Sequence, residues 1–407
     1  MPTNELQLEN VIDPSGGSNQ SRVRVYNERL VLSLVRRHGS LPKSEIARRT
    51  GLSAQTVSVI MRALEAEGLL LRGEPNRGRV GQPSIPMSLN PDGAYSIGLK
   101  IGRRSADLVL VDFLGNERNF VRKTYPYPLP GAILEFAVEA VEGFVEQIAT
   151  RKRNRIAGIG ISMPFGLWNW PEKVDAPTGS MDAWRGLDIG GKLSDAVGLP
   201  VLVQNDATCA CGAELVFGRG AQYSDFVYFF IAAFAGGGIV LNHAVYPGRT
   251  GNAGALGTMP VWGENGSPQQ LIDHASIHEL EKILLESGTD PSPIWLQPDH
   301  WDDFEPAIDK WISDAAPHLA FAIASACSVI DFEAAVIDGS FPESVKDRLI
   351  RATRSKLECL DLQGIDPPEV VKGLVGSSAR SLGAAGLPLF SRFLLDQNVL
   401  FKEKELS

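Results

Sequence analysis

Residues 46–60 of this chain read Ile46-Ala47-Arg48-Arg49-Thr50-Gly51-Leu52-Ser53-Ala54-Gln55-Thr56-Val57-Ser58-Val59-Ile60. The small side chain of Ala47 lets two helices approach closely, and Gly51 permits the left-handed backbone of a tight turn. The β-branched Val57 packs back across the helix crossing. Three further inward positions are apolar, namely Ile46, Leu52 and Ile60. Because six positions agree at fixed offsets, the stretch predicts a helix-turn-helix.

The residues on either side predict a third helix and the boundaries of all three. Apolar residues recur at helical spacing over 23–38, which predicts an amphipathic helix that ends at Gly39. A second helix begins near Pro42, since proline is tolerated in a first turn, and stops at Gly51. The third helix is expected over 54–67, with Ser53 as its N-cap.

Two short apolar segments after the third helix predict a β-ribbon. They cover residues 69–72 and 85–89, and a glycine-rich segment over 73–83 joins them. This segment carries Arg77 and Arg79, which suit a wing that reaches phosphates or the minor groove. A flexible linker is the alternative interpretation.

The third helix presents small polar side chains on its outward face near its start. Such groups suit base edges in the major groove, and a glutamine can pair bidentately with adenine. With the wing included, the expected partner is a double-stranded DNA operator, contacted by Ser53, Ala54, Gln55, Thr56, Ser58, Arg62, Arg77, Arg79 and Gln82. The alternatives are a solvated helix face and a winged helix that contacts protein.

Charge is divided unevenly along the 407 residues. Residues 21–90 contain 12 basic and 5 acidic side chains, whereas residues 91–407 contain 27 basic and 40 acidic ones. A basic domain on an acidic body indicates that only the domain meets a polyanion, unless the imbalance is chance surface charge. We expect residues 1–20 to be a disordered tail, 21–90 a DNA-binding domain and 91–407 an effector and oligomerisation domain.

The composition is that of a soluble globular protein, with 44% hydrophobic and 21% charged residues, and we expect a cytoplasmic location. Residues 1–20 are polar and do not resemble a secretion signal. The longest apolar stretch, 226–241, is interrupted by three glycines and predicts two buried strands rather than a membrane span. Four cysteines in a chain of this length predict reduced thiols rather than a disulfide framework.

The body reads as two α/β halves that face a cleft. In its first half, strands are expected over 95–101, 106–111, 156–162 and 200–204, with helices over 132–150 and 207–217. The second half restarts at Phe226 with two strands, and helices dominate after about Gln269.

Seven short stretches of the chain resemble motifs of a known family. They are Gly81-Gln82-Pro83, Ile97-Gly98-Leu99-Lys100-Ile101-Gly102, Ile159-Gly160-Ile161-Ser162-Met163-Pro164, Val203-Gln204-Asn205-Asp206-Ala207, Gly236-Gly237-Gly238-Ile239, Gly248-Arg249-Thr250-Gly251-Asn252-Ala253-Gly254 and Gly383-Ala384-Ala385. Over about residues 23–394 the chain resembles the ROK family (repressors, open reading frames, kinases), in particular its repressor branch. The resemblance implies a mainly α winged helix-turn-helix followed by an actin-like, hexokinase-like ATPase-fold body of two α/β lobes. It also implies a homodimer or homotetramer that releases DNA when a sugar enters the cleft.

Two turns that hold phosphates in the kinases of this family are changed. The first strand there ends in Asp-x-Gly-Gly-Thr, whereas this chain reads Lys100-Ile101-Gly102-Arg103-Arg104. A later Gly-x-Gly turn matches Ala232-Ala233-Phe234. Backbone amides approach phosphates less closely where larger residues replace glycine. We therefore expect no catalytic residue and no cofactor, with an active sugar kinase as the alternative.

The sugar site is only partly kept. Asn205 and Asp206 match the family's sugar-contacting asparagine and catalytic aspartate, and the expected effector site is completed by Gly166, Gly237 and Gly238. The family's next glutamate and histidine are replaced by Ala255 and Thr258. Its zinc-binding cysteines and a further glutamate have no counterpart in residues 266–270, so no metal is expected.

Two features leave alternatives open. We expect Lys100 to pair with Asp206, because both map near the old reaction centre, unless the lysine extends to solvent. Three tryptophans either stack on a sugar ring or close the cleft, or they are core or interface residues; they are Trp168, Trp170 and Trp184. The predicted function is a regulator of carbohydrate genes that responds to a sugar-like effector. The alternative is a DNA-binding regulator that senses no ligand.

Overall fold

The structure is a computed structural model that describes residues 20–75, 85–164, 166–167, 176–177, 179–263 and 266–395. It divides into two compact units. The first comprises residues up to Leu89 together with Phe393–Leu395, and the second comprises Asn90–Arg392.

The first unit is a three-helix domain with a small sheet. Its elements are α1 (Gln20–His38), β1 (Ser40–Pro42), α2 (Lys43–Thr50), α3 (Ala54–Ala66), β2 (Leu70–Arg72) and β3 (Pro86–Leu89). The strands pair antiparallel in the order β1-β3-β2. The predicted helices and ribbon are confirmed. Residues 76–84, with Arg77, Arg79 and Gln82, lie outside the described residues.

Local chemistry fixes the turn between α2 and α3. Gly51 has a left-handed backbone, with φ of 70°, and its amide donates to the carbonyl of Ala47. The hydroxyl of Ser53 accepts a hydrogen bond from the amide of Thr56 at 3.1 Å, which caps α3. Val57 is fully buried in the core of the domain. The tight turn therefore leaves the opposite face of α3 exposed.

The second unit begins with an α/β lobe. Its elements are β4 (Tyr95–Ile101), β5 (Ser105–Asp112), β6 (Glu117–Thr124), α4 (Pro130–Gln147), β7 (Ile156–Met163), α5 (Ile189–Val197) and β8 (Val201–Asn205). The sheet order is β6-β5-β4-β7-β8, with β4, β7 and β8 parallel. The predicted strands are confirmed to within two residues. Strand β6 was not predicted, because it lies at the sheet edge and is largely exposed.

A second lobe follows, built on another five-stranded sheet in the order β11-β10-β9-β14-β15. Its strands are β9 (Phe226–Ile231), β10 (Ala235–Leu241), β11 (Ala244–Val245), β14 (Ala334–Gly339) and β15 (Glu369–Lys372), and a separate hairpin joins β12 (Pro260–Trp262) to β13 (Pro268–Gln270). Its helices are α6 (Asp206–Phe217), α7 (Ile272–Ala275), α8 (Ile277–Glu286), α9 (Ser292–Leu296), α10 (Glu305–Cys327), α11 (Glu343–Leu357) and α12 (Ala379–Phe393). The apolar run 226–241 forms the antiparallel pair β9–β10, as predicted. Among the described helices, none has the length and apolar character that crossing a membrane requires.

The backbone of helix α12 packs directly against the backbone of the first lobe. A Cβ atom on Gly98 of β4 would lie 2.2 Å from the carbonyl oxygen of Ser381, and one on Gly160 of β7 would lie 1.8 Å from that of Ala384. A Cβ atom on Gly383 would lie 1.9 Å from the carbonyl oxygen of Cys209 in α6. These glycines therefore allow α12, β4, β7 and α6 to meet.

We predict that Gly160→Ala destabilises the body by about 1–3 kcal/mol, because the added methyl group overlaps the α12 backbone. The control is Gly143→Ala in α4, where a Cβ atom meets nothing within 4 Å. Alanine there should be neutral or stabilise by up to about 1 kcal/mol. Urea unfolding followed by tryptophan fluorescence measures both, since all seven tryptophans lie in residues 91–407. Equal stabilities of the two variants would contradict the packing argument.

Candidate functional site

In the first unit, the exposed face of α3 is the candidate DNA contact. Ala54, Gln55 and Arg62 are exposed, whereas Thr56 and Ser58 are half-buried. Ser53 is exposed, but its hydroxyl already caps the helix. Gln55 therefore stands at the N-terminal end of a rigid helix with its amide available to a base edge.

A lysine that was not predicted lies beside this face. The ammonium of Lys43, the first residue of α2, is 3.4 Å from the hydroxyl of Ser58. A flexible cation next to the α3 surface suits a backbone phosphate. No sequence motif marks it, because its proximity to Ser58 depends on how α2 and α3 cross.

In the second unit, a cleft of about 270 Å³ opens between the two lobes. Its first-lobe side is formed by the turn after β4 and by the ends of β7 and β8. Its second-lobe side is formed by the β9–β10 turn, the loop over 252–258 and the start of α12. Five polar or aromatic side chains of its lining are suited to ligand contact, namely Arg103, Asn205, Asp206, Phe230 and Arg380.

Asn205 and Asp206 are among the residues that line this cleft. The side-chain oxygen of Asn205 caps α6 by accepting from the amides of Ala207 and Thr208, which leaves its amide nitrogen for a ligand. One carboxylate oxygen of Asp206 lies 3.5 Å from a guanidinium nitrogen of Arg380. Arg380 also stacks over the ring of Phe230 at 5.3 Å. Sequence reasoning missed Arg380, which comes from the far end of the chain.

The three predicted glycines have different surroundings. Gly237 lines the cleft, and a Cβ atom there would lie 2.3 Å from the carbonyl oxygen of Tyr228. Gly238 instead packs against Cys211 of α6, where a Cβ atom would lie 2.5 Å from the cysteine Cβ. Gly166 has a left-handed backbone and is not among the described residues that line the cleft.

Trp184 and the two cysteines of α6 are buried and do not belong to the described lining of the cleft. Trp184 is buried in the first lobe and donates its indole N–H to the carbonyl of Pro128. Trp168 and Trp170 lie outside the described residues. Cys209 and Cys211 are buried free thiols, and burial raises their pKa above the usual range.

The predicted pair between Lys100 and Asp206 is wrong. Lys100 lies directly opposite Asp107 in the β4–β5 register, and Asp107 lies opposite Arg122 in the β5–β6 register. The three side chains form a row across the sheet, with Lys100 3.2 Å from Asp107 and Arg122 bonded to both oxygens of Asp107. Cross-strand neighbours on one face meet in this way, so Lys100 is neutralised within its own sheet.

In this row, Lys100 stands at the position where the first strand of the family's kinases carries an aspartate. Burial lowers the pKa of Lys100 to about 8, against the opposing effect of Asp107. Burial alone would raise the pKa of Asp107, but Lys100 and Arg122 lower it to about 2. The carboxylate that remains near the turn is therefore shared by two cations and is not free to hold Mg²⁺.

Arg103 occupies the turn that follows β4 and reaches the other lobe. Its guanidinium donates to Glu281 of α8 at 2.8 Å and lies over Trp295 at 5.7 Å from the ring centroid. Burial would raise the pKa of Glu281, but His278 and Arg103 lower it to about 2. A bulky, paired arginine thus fills the place where small residues would expose backbone amides to phosphate.

The remaining family contacts are also absent from the cleft. Ala255 and Thr258 carry no carboxylate or imidazole, and the hydroxyl of Thr258 donates to the carbonyl of Ala255. Residues 268–270 form β13, and Ile272 lines the cleft nearby. Without cysteines in this segment, the described residues do not fit a cysteine-type zinc site.

Comparisons with known proteins agree with this architecture. Residues 26–70 match the model of a winged helix-turn-helix DNA-binding domain, and residues 96–276 match the model of the ROK family. A chain that joins a winged helix-turn-helix domain to a two-lobed ROK-family domain belongs to the class of DNA-binding proteins with a kinase-like domain. The chain therefore carries a ROK-family domain preceded by a winged helix-turn-helix domain.

Individual relatives are distant. The chain is 24% identical over 273 residues to the xylose repressor of Bacillus subtilis, which covers 66% of this chain and 70% of the repressor. A transcriptional regulator of Mycobacterium tuberculosis is 27% identical over 58% of this chain and 53% of its own length.

Solved structures show the same fold. A ROK family transcriptional regulator, a homologue of the Escherichia coli MLC protein, covers 93% of this chain and 98% of its own, with a TM-score of 0.66 and 19% identity. A ROK family glucokinase from Streptomyces griseus, solved with glucose and AMPPNP, covers 72% of this chain and 99% of its own, with a TM-score of 0.56 and 23% identity.

We predict that Asp107→Asn lowers the free energy of unfolding of the body by about 3–5 kcal/mol, because it leaves the buried Lys100 without its carboxylate. Lys100→Met should cost much less, since the bidentate pair between Arg122 and Asp107 remains. Urea unfolding followed by tryptophan fluorescence compares the two. A larger loss in Lys100→Met than in Asp107→Asn would overturn the assigned row.

Proposed function

We propose that this protein is a DNA-binding transcriptional regulator of genes for carbohydrate transport or metabolism, which senses a sugar-like effector in its cleft. The observation that carries the proposal is the combination of an exposed α3 face with a kinase-like cleft whose phosphate turn is occupied by Arg103. The α3 face offers Gln55 and Arg62 to DNA. The regulator names of distant relatives support the same function.

The effector site comprises Asn205, Asp206, Arg380 and Gly237. The Nε atoms of Arg103 and Arg380 are buried and lack an acceptor among the described residues. Buried donors without partners are costly, and a ligand rich in oxygen would satisfy them. Hydroxyl groups of a free sugar or the phosphate of a sugar phosphate both provide such acceptors.

The cleft works without ATP chemistry in this proposal. Phosphoryl transfer needs a phosphate cradle with Mg²⁺ and a carboxylate that accepts the hydroxyl proton. Lys100 at the end of β4 is paired with Asp107, Arg103 in the turn after it is paired with Glu281, and Asp206 faces Arg380. An active sugar kinase remains the competing function, because ROK proteins include kinases.

Regulation follows from a population shift. A homodimer or homotetramer presents two winged helices to two operator half-sites, in the cytoplasm where the DNA is. Closure of the cleft around its ligand favours an arrangement of lower DNA affinity. The acidic body keeps nonspecific DNA away from its surface, since residues 91–407 carry 40 acidic and 27 basic side chains.

For the DNA contact, we predict that Gln55→Ala or Arg62→Ala weakens binding to a duplex selected from a random library by about 1–3 kcal/mol if the side chain reads a base. Arg77→Ala should instead lower the salt dependence with little change in sequence preference. Fluorescence anisotropy against the selected and a random duplex measures both effects. Lys192→Ala, which removes an exposed cation from α5, is the matched control and should bind as the parent does. Parental affinity in all three variants would remove this surface from the account.

For the effector site, we predict one saturable rise in thermal stability across a panel of free and phosphorylated sugars and polyols. A ligand at about 100 times its dissociation constant adds about 2.7 kcal/mol. Asp206→Asn should abolish the rise, whereas Asp195→Asn, at an exposed position of α5, should retain it.

The same panel distinguishes the competing functions. With ATP and Mg²⁺ present, we expect no release of ADP for any sugar. Turnover that disappears in Asp206→Asn would make the protein a kinase. If no sugar or polyol raises the thermal stability while the protein still binds the selected duplex, the protein is a regulator that senses no carbohydrate.

A further inference from the structure

A second cavity, of about 360 Å³, lies in the second lobe and shares no lining residue with the cleft. It opens beside β15, the edge strand of the five-stranded sheet, between α11 and the turn that follows α6. Its volume falls in the range of pockets that bind small molecules. Four cationic side chains belong to its walls, namely Arg219, Arg351, Arg354 and Lys372.

The two carboxylates in the walls already have partners. Asp347 lies 2.8 Å from the ammonium of Lys372, and Glu369 accepts a hydrogen bond from the hydroxyl of Tyr223 at 2.7 Å. Asp347 stands one turn before Arg351 on α11 but compensates Lys372 instead. Among the described residues, Arg351 has neither an ion pair nor a hydrogen bond. Four cations against two carboxylates leave the cavity with an excess of positive charge.

Two of the arginines are held in place by the backbone of β15. Nε of Arg354 donates to the carbonyl oxygen of Val370 at 2.7 Å, and Nε of Arg219 donates to that of Lys372 at 2.9 Å. One terminal nitrogen of Arg219 also donates to Gln222 at 2.8 Å. The other terminal nitrogens have no acceptor among the described residues. The guanidinium groups are therefore oriented before any ligand arrives, which lowers the entropic cost of binding.

The backbone amides on the cavity side of β15 also lack partners in the sheet. The amides of Glu369 and Gly373, at the two ends of the strand, donate to carbonyls of β14. Because alternate residues of a strand face opposite edges, the amides of Val370 and Lys372 point away from β14. Val370 is only 3% exposed, so its amide gains from an acceptor supplied by a ligand.

This set of donors matches a phosphate group. Phosphate presents acceptor oxygens in several directions, and arginine binds it through paired, charge-assisted hydrogen bonds. Two buried apolar residues, Ile350 and Val371, complete the lining and suit a carbon skeleton. Protection of the edge strand from pairing with other strands is the simpler role of such arginines. It accounts for Arg219 and Arg354 but not for Arg351, which makes no hydrogen bond to the strand.

We propose that this cavity binds a small phosphorylated metabolite. Arg351, Arg354 and Arg219 hold its phosphate group, and its carbon skeleton rests on Ile350 and Val371. The protein thus has a second ligand site, which does not depend on what the effector cleft binds.

The experiment measures thermal unfolding of the full-length chain against inorganic phosphate and phenyl phosphate, at constant ionic strength set with NaCl. We expect a saturable rise in the temperature of unfolding with both, at lower concentrations of phenyl phosphate because its ring covers the apolar floor. Arg351→Gln and Arg354→Gln should each raise the dissociation constant about tenfold, because each removes charge-assisted hydrogen bonds. Lys356→Gln, at an exposed position of α11 outside the cavity, should bind as the parent does.

The design separates this site from other effects of phosphate. Phosphate also stabilises folded proteins by its exclusion from their surface, without saturation and equally in every variant. A rise of that kind, equal in the parent and in Arg351→Gln, would overturn the site. A response that survives in both arginine variants but disappears in Arg380→Gln would place the phosphate in the cleft instead.

Arg351→Gln also keeps loss of binding distinct from misfolding. Because Arg351 has no partner among the described residues, the variant should unfold at the parental temperature when no phosphate is present. It should also bind the selected duplex as the parent does. Weaker duplex binding by Arg351→Gln without phosphate would assign these cations to the DNA backbone and contradict a small-molecule site.

Discussion

Helix α12 approaches β4 and β7 so closely that neither Gly98 nor Gly160 has room for a Cβ atom. This contact constrains the whole body, because α12 also meets α6 at Gly383 and carries Arg380 at its first turn into the cleft. The positions of Asp206 at the start of α6 and of Arg380 therefore depend on the same packing. A kinase-like backbone can be kept by these glycines while the side chains around the cleft change.

The charges around the cleft are paired within the body itself. Lys100 pairs with Asp107, Arg103 with Glu281 and Arg380 with Asp206. Lys100, Arg103 and Arg380 are therefore each compensated by a carboxylate of the body, although Lys100 shares Asp107 with Arg122. The unpartnered Nε atoms of Arg103 and Arg380 leave the cleft with donors for an oxygen-rich ligand.

Features that depend on local spacing could be predicted from the sequence, and features that depend on tertiary register could not. The turn at Gly51, the cap at Ser53 and the buried β9–β10 pair each follow from a few neighbouring residues. The partner of Lys100 was predicted wrongly, because it depends on which residue of β5 lies opposite. Arg103 and Glu281 are 178 residues apart, and His274 and Asp314 are 40 apart, so no local pattern marks either contact. Resemblance to a family supplied Asn205 and Asp206 but not Arg380, which has no motif around it.

The central claim is that ligand in the cleft controls DNA affinity. It is tested most directly by fluorescence anisotropy of a selected duplex bound to the full-length protein, with and without a saturating concentration of the sugar that stabilises it. The account predicts that the sugar weakens duplex binding by about 5–150-fold, and that the duplex weakens sugar binding by the same factor. Identical duplex affinity with the cleft empty and saturated would contradict it.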